Sequence, residues 1–427
     1  MGAFLRFMLI EFKVENFRSF KDCATLNMLS SADKSLPGNL LQSEVLQSNV
    51  LKSAVVFGPN ASGKSNLILA MGLLRAFVLR SHQHQKGMKL NFQPFSFDPS
   101  NLKEPTTFSV IFIHENVRYQ YSLSFNSDRI TEETLFHYPK GKKATIFERH
   151  GQEFSFTKDQ TEQAVISRRT PENVLYLSSS VQFNYKGTMP AYEWFLNKLI
   201  VLETSDLDPL IDSVIEQANK NLKFRKMVEN GLKIADFGIT GFRGKIQTMS
   251  VRDLEGKLPP QILGMMTIGG MTAKERDIRF THEIKSGRGK PKNFELKSYQ
   301  ESEGTRKLLA VIGPVINSLL DGRTLLVDEL DTKLHNSISA WLVDLFHDPK
   351  QNPKGAQLIF NTHNQLLLDL EKFRRDQIWF TEKDHDLGAS TLFSLSEFGE
   401  RKDRDIQKAY SLGRYGSTPF ISSEKVV

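Results

Sequence analysis

The stretch Gly58-Pro59-Asn60-Ala61-Ser62-Gly63-Lys64-Ser65 holds two glycines with four residues between them, then a lysine and a hydroxyl. Glycines let a backbone turn tightly and aim successive N–H groups at one anion. A lysine at this position reaches the β- and γ-phosphates of a nucleoside triphosphate. The Ser65 hydroxyl is a hard oxygen ligand of the kind Mg²⁺ takes. A second group comes from Thr324-Leu325-Leu326-Val327-Asp328-Glu329, an apolar run that ends in two acids. Asp328 suits Mg²⁺ held through its water shell, and Glu329 suits polarising an attacking water. A third comes from Gln357 to His363, where another apolar run closes on Thr362 and His363. A neutral His363 suits a hydrogen bond to a γ-phosphate or to that water.

These groups need elements to carry them. Residues 51–57 form an apolar run into Gly58, and Leu67, Ile68, Met71, Leu74 and Val78 recur at helical spacing after Ser65. The glycine loop is therefore expected between a buried strand and a helix whose positive N-terminus faces the same anion. Thr324–Val327 and 357–362 read as further buried strands, so the fold class is α/β with ligands at the strands' C-terminal ends. Residues 9–20 alternate as a strand does, and 105–125 read as two strands joined by a turn at 114–116. Residues 160–235 read as helical and charged, and 236–298 as strand-like pieces with Gly and Pro breaks. Residues 302–320 read as a helix containing Pro314. A last helical face carries Leu334, Ile338, Trp341, Leu342 and Leu345.

Composition sets the class. The chain has 427 residues, 39% hydrophobic and 25% charged, which suits two or three globular domains. The one cysteine, Cys23, excludes an internal disulfide and fits a reducing cytoplasm. No apolar run reaches the ~20 residues of a membrane helix, so no membrane partner is expected. The net charge of +7 fits either a solvated Lys-rich face or contact with nucleic acid or an acidic partner. Three basic clusters carry it: Lys140, Lys142 and Lys143; Lys220, Lys223, Arg225 and Lys226; and Arg401, Lys402, Arg404 and Lys408. Lys285–Lys292 adds a basic loop.

The ordered set resembles the ABC-type ATPase heads of the RecF and SMC group. It is more similar still to small AAA-like ATPases of anti-phage and abortive-infection systems. Those are relatives of the ATPase half of OLD nucleases and of the ATPase subunits of two-gene defence operons such as the PARIS type. The residues that carry the resemblance are Phe12 to Phe20, Gly58 through Asn66 and Ser302-Glu303-Gly304-Thr305. Asp328-Glu329-Leu330-Asp331, Thr362-His363-Asn364 and the closing Leu412 to Pro419 complete it. It implies ATP and Mg²⁺ as cofactors and a homodimer, or higher oligomer, with ATP sandwiched between heads. Ser302 and Gly304 of one copy would meet the γ-phosphate held by the other, with Asp331 on the same seam and Arg18 and Asn66 by the nucleotide. Gln93 would sense Mg²⁺. From the residues alone, Ser302 reads as a helix cap, and so do Asp206 and Asp208. Ser-Glu-Gly-Thr departs from the Ser-Gly-Gly-Gln of the transporter branch. The 264 residues from Lys64 to Asp328 are too many for a transporter cassette and too few for a long coiled coil.

The expected architecture is an ABC-ATPase-like head with a mixed β lobe and an inserted, largely helical arm. Residues 1–130 form the first half of the head, 131–295 the insert, and 296–427 the second half and tail. Only 64 residues follow His363, too few for a nuclease domain of ~100 residues. The resemblance then implies an ATPase that controls a separate, TOPRIM-like nuclease or toxin and answers a phage-encoded trigger. A RecF-like ATPase acting on DNA is the alternative, and a self-contained nuclease a weaker third.

Overall fold

The structure is a computed structural model that describes residues 7–235, 238–256, 259–269, 273–284, 291–398 and 405–415. Arg401, Lys402, Arg404, most of the Lys285–Lys292 loop and the end of the 412–419 segment lie outside them. The chain divides into two compact units. The first comprises Met1–Thr204, Asn317–Thr332 and Ser339–Val427, and the second Ser205–Ile316 and Lys333–Ile338.

The first unit is built on two sheets. One is a seven-stranded antiparallel sheet, in the order Glu153–Ser155, Ala144–His150, Ile130–Tyr138, Val117–Phe125, Thr106–His114, Phe7–Glu15 and Ala24–Asn27. The expected hairpin of 105–125 forms, and its two turn residues, Glu115 and Asn116, both adopt positive φ (49° and 64°). A tight two-residue hairpin turn requires that geometry. The strand expected over 9–20 stops at Glu15, because Asn16 and Arg18 turn the chain with φ of 49° and 51°.

The second sheet has six strands, in the order Leu199–Leu202, Thr324–Val327, Gln357–Asn361, Ser53–Phe57, Ile378–Lys383 and Ser390–Ser394. The first five run parallel and the last is antiparallel. Ser53–Phe57, Thr324–Val327 and Gln357–Asn361 are buried at every position, as strands covered on both faces must be. The helix Lys64–Arg80 buries Leu67, Ile68, Met71, Leu74 and Val78, the residues whose spacing predicted it. Gln357 ties the two sheets together. Its side chain accepts from Leu9 N (2.6 Å) and donates to Leu9 O and Leu51 O (both 3.0 Å).

Three expectations shift. The strands of 130–155, assigned to the insert from the sequence, complete the first sheet, and the first unit runs on to Thr204. Leu199–Leu202, read as part of a helical stretch, is instead the edge strand beside Thr324–Val327. The helix of the 334–345 face begins at Asn336 and buries Ser339, Leu342, Val343 and Phe346, leaving Trp341 and Leu345 half-buried.

The second unit holds helices within the 160–235 stretch read as helical and strands within the 236–298 stretch read as strand-like. The helices Asp208–Lys220 and Leu222–Ala235 bury Ile211, Val214, Ile215, Phe224, Val228 and Leu232. Beside them lies a three-stranded antiparallel sheet of Ile239–Met249, Ala273–Ile284 and Lys292–Lys297. Among the described residues no helix is long and apolar enough to cross a membrane.

Candidate nucleotide site

Parallel register brings the three motifs to one edge of the six-stranded sheet. Val327 pairs with Phe360, and Asn361 with Val56. Asp328, Thr362 and Gly58 therefore leave neighbouring strands at their C-terminal ends, where open α/β sheets bind ligands.

The loop needs its glycines for space. A Cβ on Gly58 would stand 2.5 Å from Thr381 O and Oγ1. At Gly63, whose φ is +108°, it would stand 2.7 Å from Ser390 Oγ and 2.9 Å from Ser19 Oγ. Ser62 is buried and bonds Thr381 Oγ1 at 2.6 Å, which locks the loop onto the next strand. Asn60 and Ala61 stay exposed at the tip. Gly63 caps the helix Lys64–Arg80 with no side-chain bond, so the first-turn N–H groups keep their capacity for an anion.

Lys64 is 5% exposed, and its Nζ folds back to donate to Gly58 O (2.8 Å) and Pro59 O (2.9 Å). Burial lowers its pKa to about 8, and the charges of Glu329, Asp328 and Asp331 oppose that shift. The lysine thus stands within electrostatic reach of all three carboxylates. His363 is held below its ordinary value by partial burial and by the Lys64 charge, while the same acids pull it upward. Low basicity favours the neutral imidazole that a phosphate or water contact needs.

Asn361 organises the acids. It is fully buried, donates to Asp328 Oδ1 (2.5 Å) and accepts from Glu329 N (2.5 Å). Thr204 Oγ1 donates to Asp328 O at 2.9 Å. Glu329 has a φ of 52°, a conformation that costs a non-glycine residue roughly 1–3 kcal/mol and clusters at functional sites. Thr332 Oγ1 donates to Glu329 Oε2 at 2.9 Å. Asp331 Oδ1 is buried and has no hydrogen-bond partner among the described residues. The sequence reading passed over Asn361, Thr381, Ser19 and Ser390. The available signal was a polar residue closing the apolar run Leu358–Phe360, and Asn361 carries it.

Arg18, Gln93 and Asn66 come together as well. Arg18 Nε donates to Gln93 Oε1 (2.6 Å), and Arg18 Nη1 to Asn66 Oδ1 (3.3 Å). Asn66 Nδ2 donates to Ser19 Oγ (2.7 Å). Ser65, half-buried, precedes Asn66 in the first turn of the same helix. Ser302 and Gly304 belong to the second unit. Ser302 Oγ accepts from Thr305 N at 3.0 Å, the expected helix cap, and a Cβ on Gly304 would stand 2.7 Å from Lys333 O. Asp206 accepts from Asp208 N (3.1 Å), while Asp208 pairs with Arg276 and Arg306.

The family profile described as "AAA domain, putative AbiEii toxin, Type IV TA system" matches residues 53–369, about three quarters of the chain. The chain belongs to this AAA family. The match runs from the strand before the glycine loop to just past His363, so it spans the three motifs at the sheet edge. No curated protein matches the sequence. Among solved structures, the chain is similar to the SMC head domain from Thermotoga maritima, with 14% identity, 90% of this chain and 98% of that one covered, and a TM-score of 0.40. It is similar to the Smc head domain from Pyrococcus furiosus with an extended coiled coil, bound to the C-terminal domain of ScpA (11%, 96% and 100%, 0.42). It is also similar to the recombination mediator RecF (13%, 92% and 100%, 0.37). Superposition on each is loose, and the AAA assignment rests on the sequence match.

Proposed function

We propose that this AAA-family chain binds Mg²⁺-ATP on Gly58–Ser65 and hydrolyses it with Glu329. The observation that carries the reading is the convergence of Lys64 with Asp328, Glu329 and Asp331 at one strand edge. Backbone N–H groups of Asn60 to Ser65 would cradle the β- and γ-phosphates, and Lys64 would swing from its two carbonyl partners to the phosphate oxygens. Glu329, held by Thr332 and by its own backbone bond to Asn361, would orient the water and take its proton. A neutral His363 would hydrogen-bond the γ-phosphate.

Mg²⁺ fits the donor set. Among the described residues no three His, Cys, Asp or Glu side chains form a metal cage, and Mg²⁺ carried by ATP needs only one or two protein oxygens. The Ser65 hydroxyl and the Asp328 carboxylate are such oxygens, Asp328 being steadied by Asn361. Ser65 and Asp328 would hold the ion, which would supply positive charge against the charge that develops on the phosphates. Gln93 is the weaker ligand candidate because Arg18 already occupies its carbonyl oxygen.

Lys64→Ala should lose ATP binding measurable by calorimetry, since the charge facing the phosphates is gone. ATP affinity equal to that of the unaltered protein would sink the assignment.

At the level of biology, we propose an ATPase subunit of a defence system that controls a separate toxin or nuclease. The family description, which names the AAA domain itself as a putative toxin of a toxin–antitoxin system, supports the defence setting, and the separate effector comes from the sequence resemblance alone. Two copies would share the nucleotides, with Ser302 and Gly304 reaching across. Asp331 Oδ1, buried without a partner, fits a residue on that seam. The net charge of +7 favours a second reading, a DNA-binding ATPase. Duplex binding that requires ATP and falls steeply with salt would support that second reading. Co-purification with the product of a neighbouring gene, and no such binding, would support the first.

A further inference from the structure

A cavity of about 880 Å³ runs across the glycine loop, from His363 and Gln365 on one side, past Gly58 and Asn60, to the hairpin tip around Asp384 and Gly388 on the other. Its size is that of a small-molecule site. The ring of Phe97 stands in it, 70% exposed. Large aromatic rings are normally buried, so an open one at a cavity mouth calls for a reason. This ring is also held in place. Phe95 meets it edge-on at 5.7 Å between centroids, and Lys383 Nζ lies 5.3 Å from its centre. Gly388, with φ +66°, lets the hairpin backbone pass so close that a Cβ there would stand 2.7 Å from Phe97 Cδ2. The hairpin is anchored beside the loop, because Ser390 N donates to Ser19 O at 2.7 Å and Ser390 Oγ abuts Gly63.

We propose that the hairpin end of this cavity, away from His363, takes the base of the bound nucleotide, with the Phe97 ring as its stacking surface. The inference rests on the triphosphate lying on Gly58–Ser65. On that reading the γ-phosphate end faces Asp328, Glu329 and His363, on the strands to one side of the loop strand. The sugar and base then leave toward the other side, where Ile378–Lys383 and its hairpin stand. Base–aromatic stacking suits this wall because every base has a π-face. Glu382 lines the same cavity and is an acceptor for an exocyclic amino group.

The test compares ATP with inorganic tripolyphosphate, which has the phosphates and no base. Dissociation constants are measured by calorimetry for the unaltered protein, Phe97→Ala, Phe97→Trp and Lys64→Ala. Phe97→Ala should weaken ATP about tenfold or more and leave tripolyphosphate unchanged, and Phe97→Trp should keep ATP affinity within about twofold. Lys64→Ala should weaken both ligands. An unchanged ATP affinity in Phe97→Ala, or an equal loss of both ligands, would overturn the base pocket and leave the phosphate loop standing. If the unaltered protein bound neither ligand, or Lys64→Ala bound both normally, the phosphate reading itself would fall, and the pocket with it.

Discussion

Lys64 shows how one side chain is prepared for its task. Its ordinary pKa of 10.5 is brought to about 8 by burial, against the pull of three carboxylates. The ammonium form is the one that attracts phosphate, so the sign is clear. ATP affinity should hold up to neutral pH and fall as pH rises through 8, about tenfold by pH 9 for loss of one proton. Calorimetric titration at pH 7 and pH 9 checks this, and a flat profile would contradict the buried-lysine account. The phosphate loop was legible in the sequence because glycine, lysine and serine at that spacing have few other uses. Asn361 was legible only as a polar residue closing a strand, not in its role. Its role depends on a backbone N–H and a carboxylate from another strand, and only register reveals them. Arg18 and Gln93 were each named through the resemblance, but their contact with each other needed the fold, since 75 residues separate them in sequence.

Elements position these groups, and one buried ion pair holds the supporting sheet to its helices. Glu133 and Arg149 are fully buried side by side on paired strands. Glu133 also accepts from Tyr121 Oη (2.9 Å), Tyr176 N (2.6 Å) and Leu177 N (2.9 Å), while Arg149 donates to Val174 O (2.7 Å). The pair thereby fastens the start of the helix Tyr176–Gln182 to the antiparallel sheet. Burial raises the Glu133 pKa and lowers that of Arg149, each charge countering the shift of the other. Arg149→Ala should cost roughly 3–5 kcal/mol, because it strands a buried carboxylate, and urea denaturation measures it. A loss below ~1 kcal/mol would mean that water reaches the pair. Strongly periodic elements such as Lys64–Arg80 and the 106–125 hairpin could be read from pattern. Leu199–Leu202 could not, because four apolar residues beside a helix fit either structure until Thr324–Val327 pairs with them.

At the scale of the whole molecule, the first unit carries the glycine loop, both acids and His363, and the second carries Ser302 and Gly304. The motifs could be read for their roles, whereas the segment between them could be read only for its helical and strand-like stretches. Site chemistry leaves short, type-specific signatures, whereas the second unit's helices and sheet are specified only by packing. In the proposed homodimer, which rests on the sequence resemblance, ATP on the first unit of one copy would meet Ser302 of the other. The proposed function turns on hydrolysis at Glu329. The most direct measurement is Mg²⁺-ATP turnover by Glu329→Gln beside the unaltered protein, with bound nucleotide quantified in the same samples. The account predicts normal ATP occupancy with turnover at least a hundredfold lower, the loss typical of removing a general base. Turnover near that of the unaltered protein would contradict it.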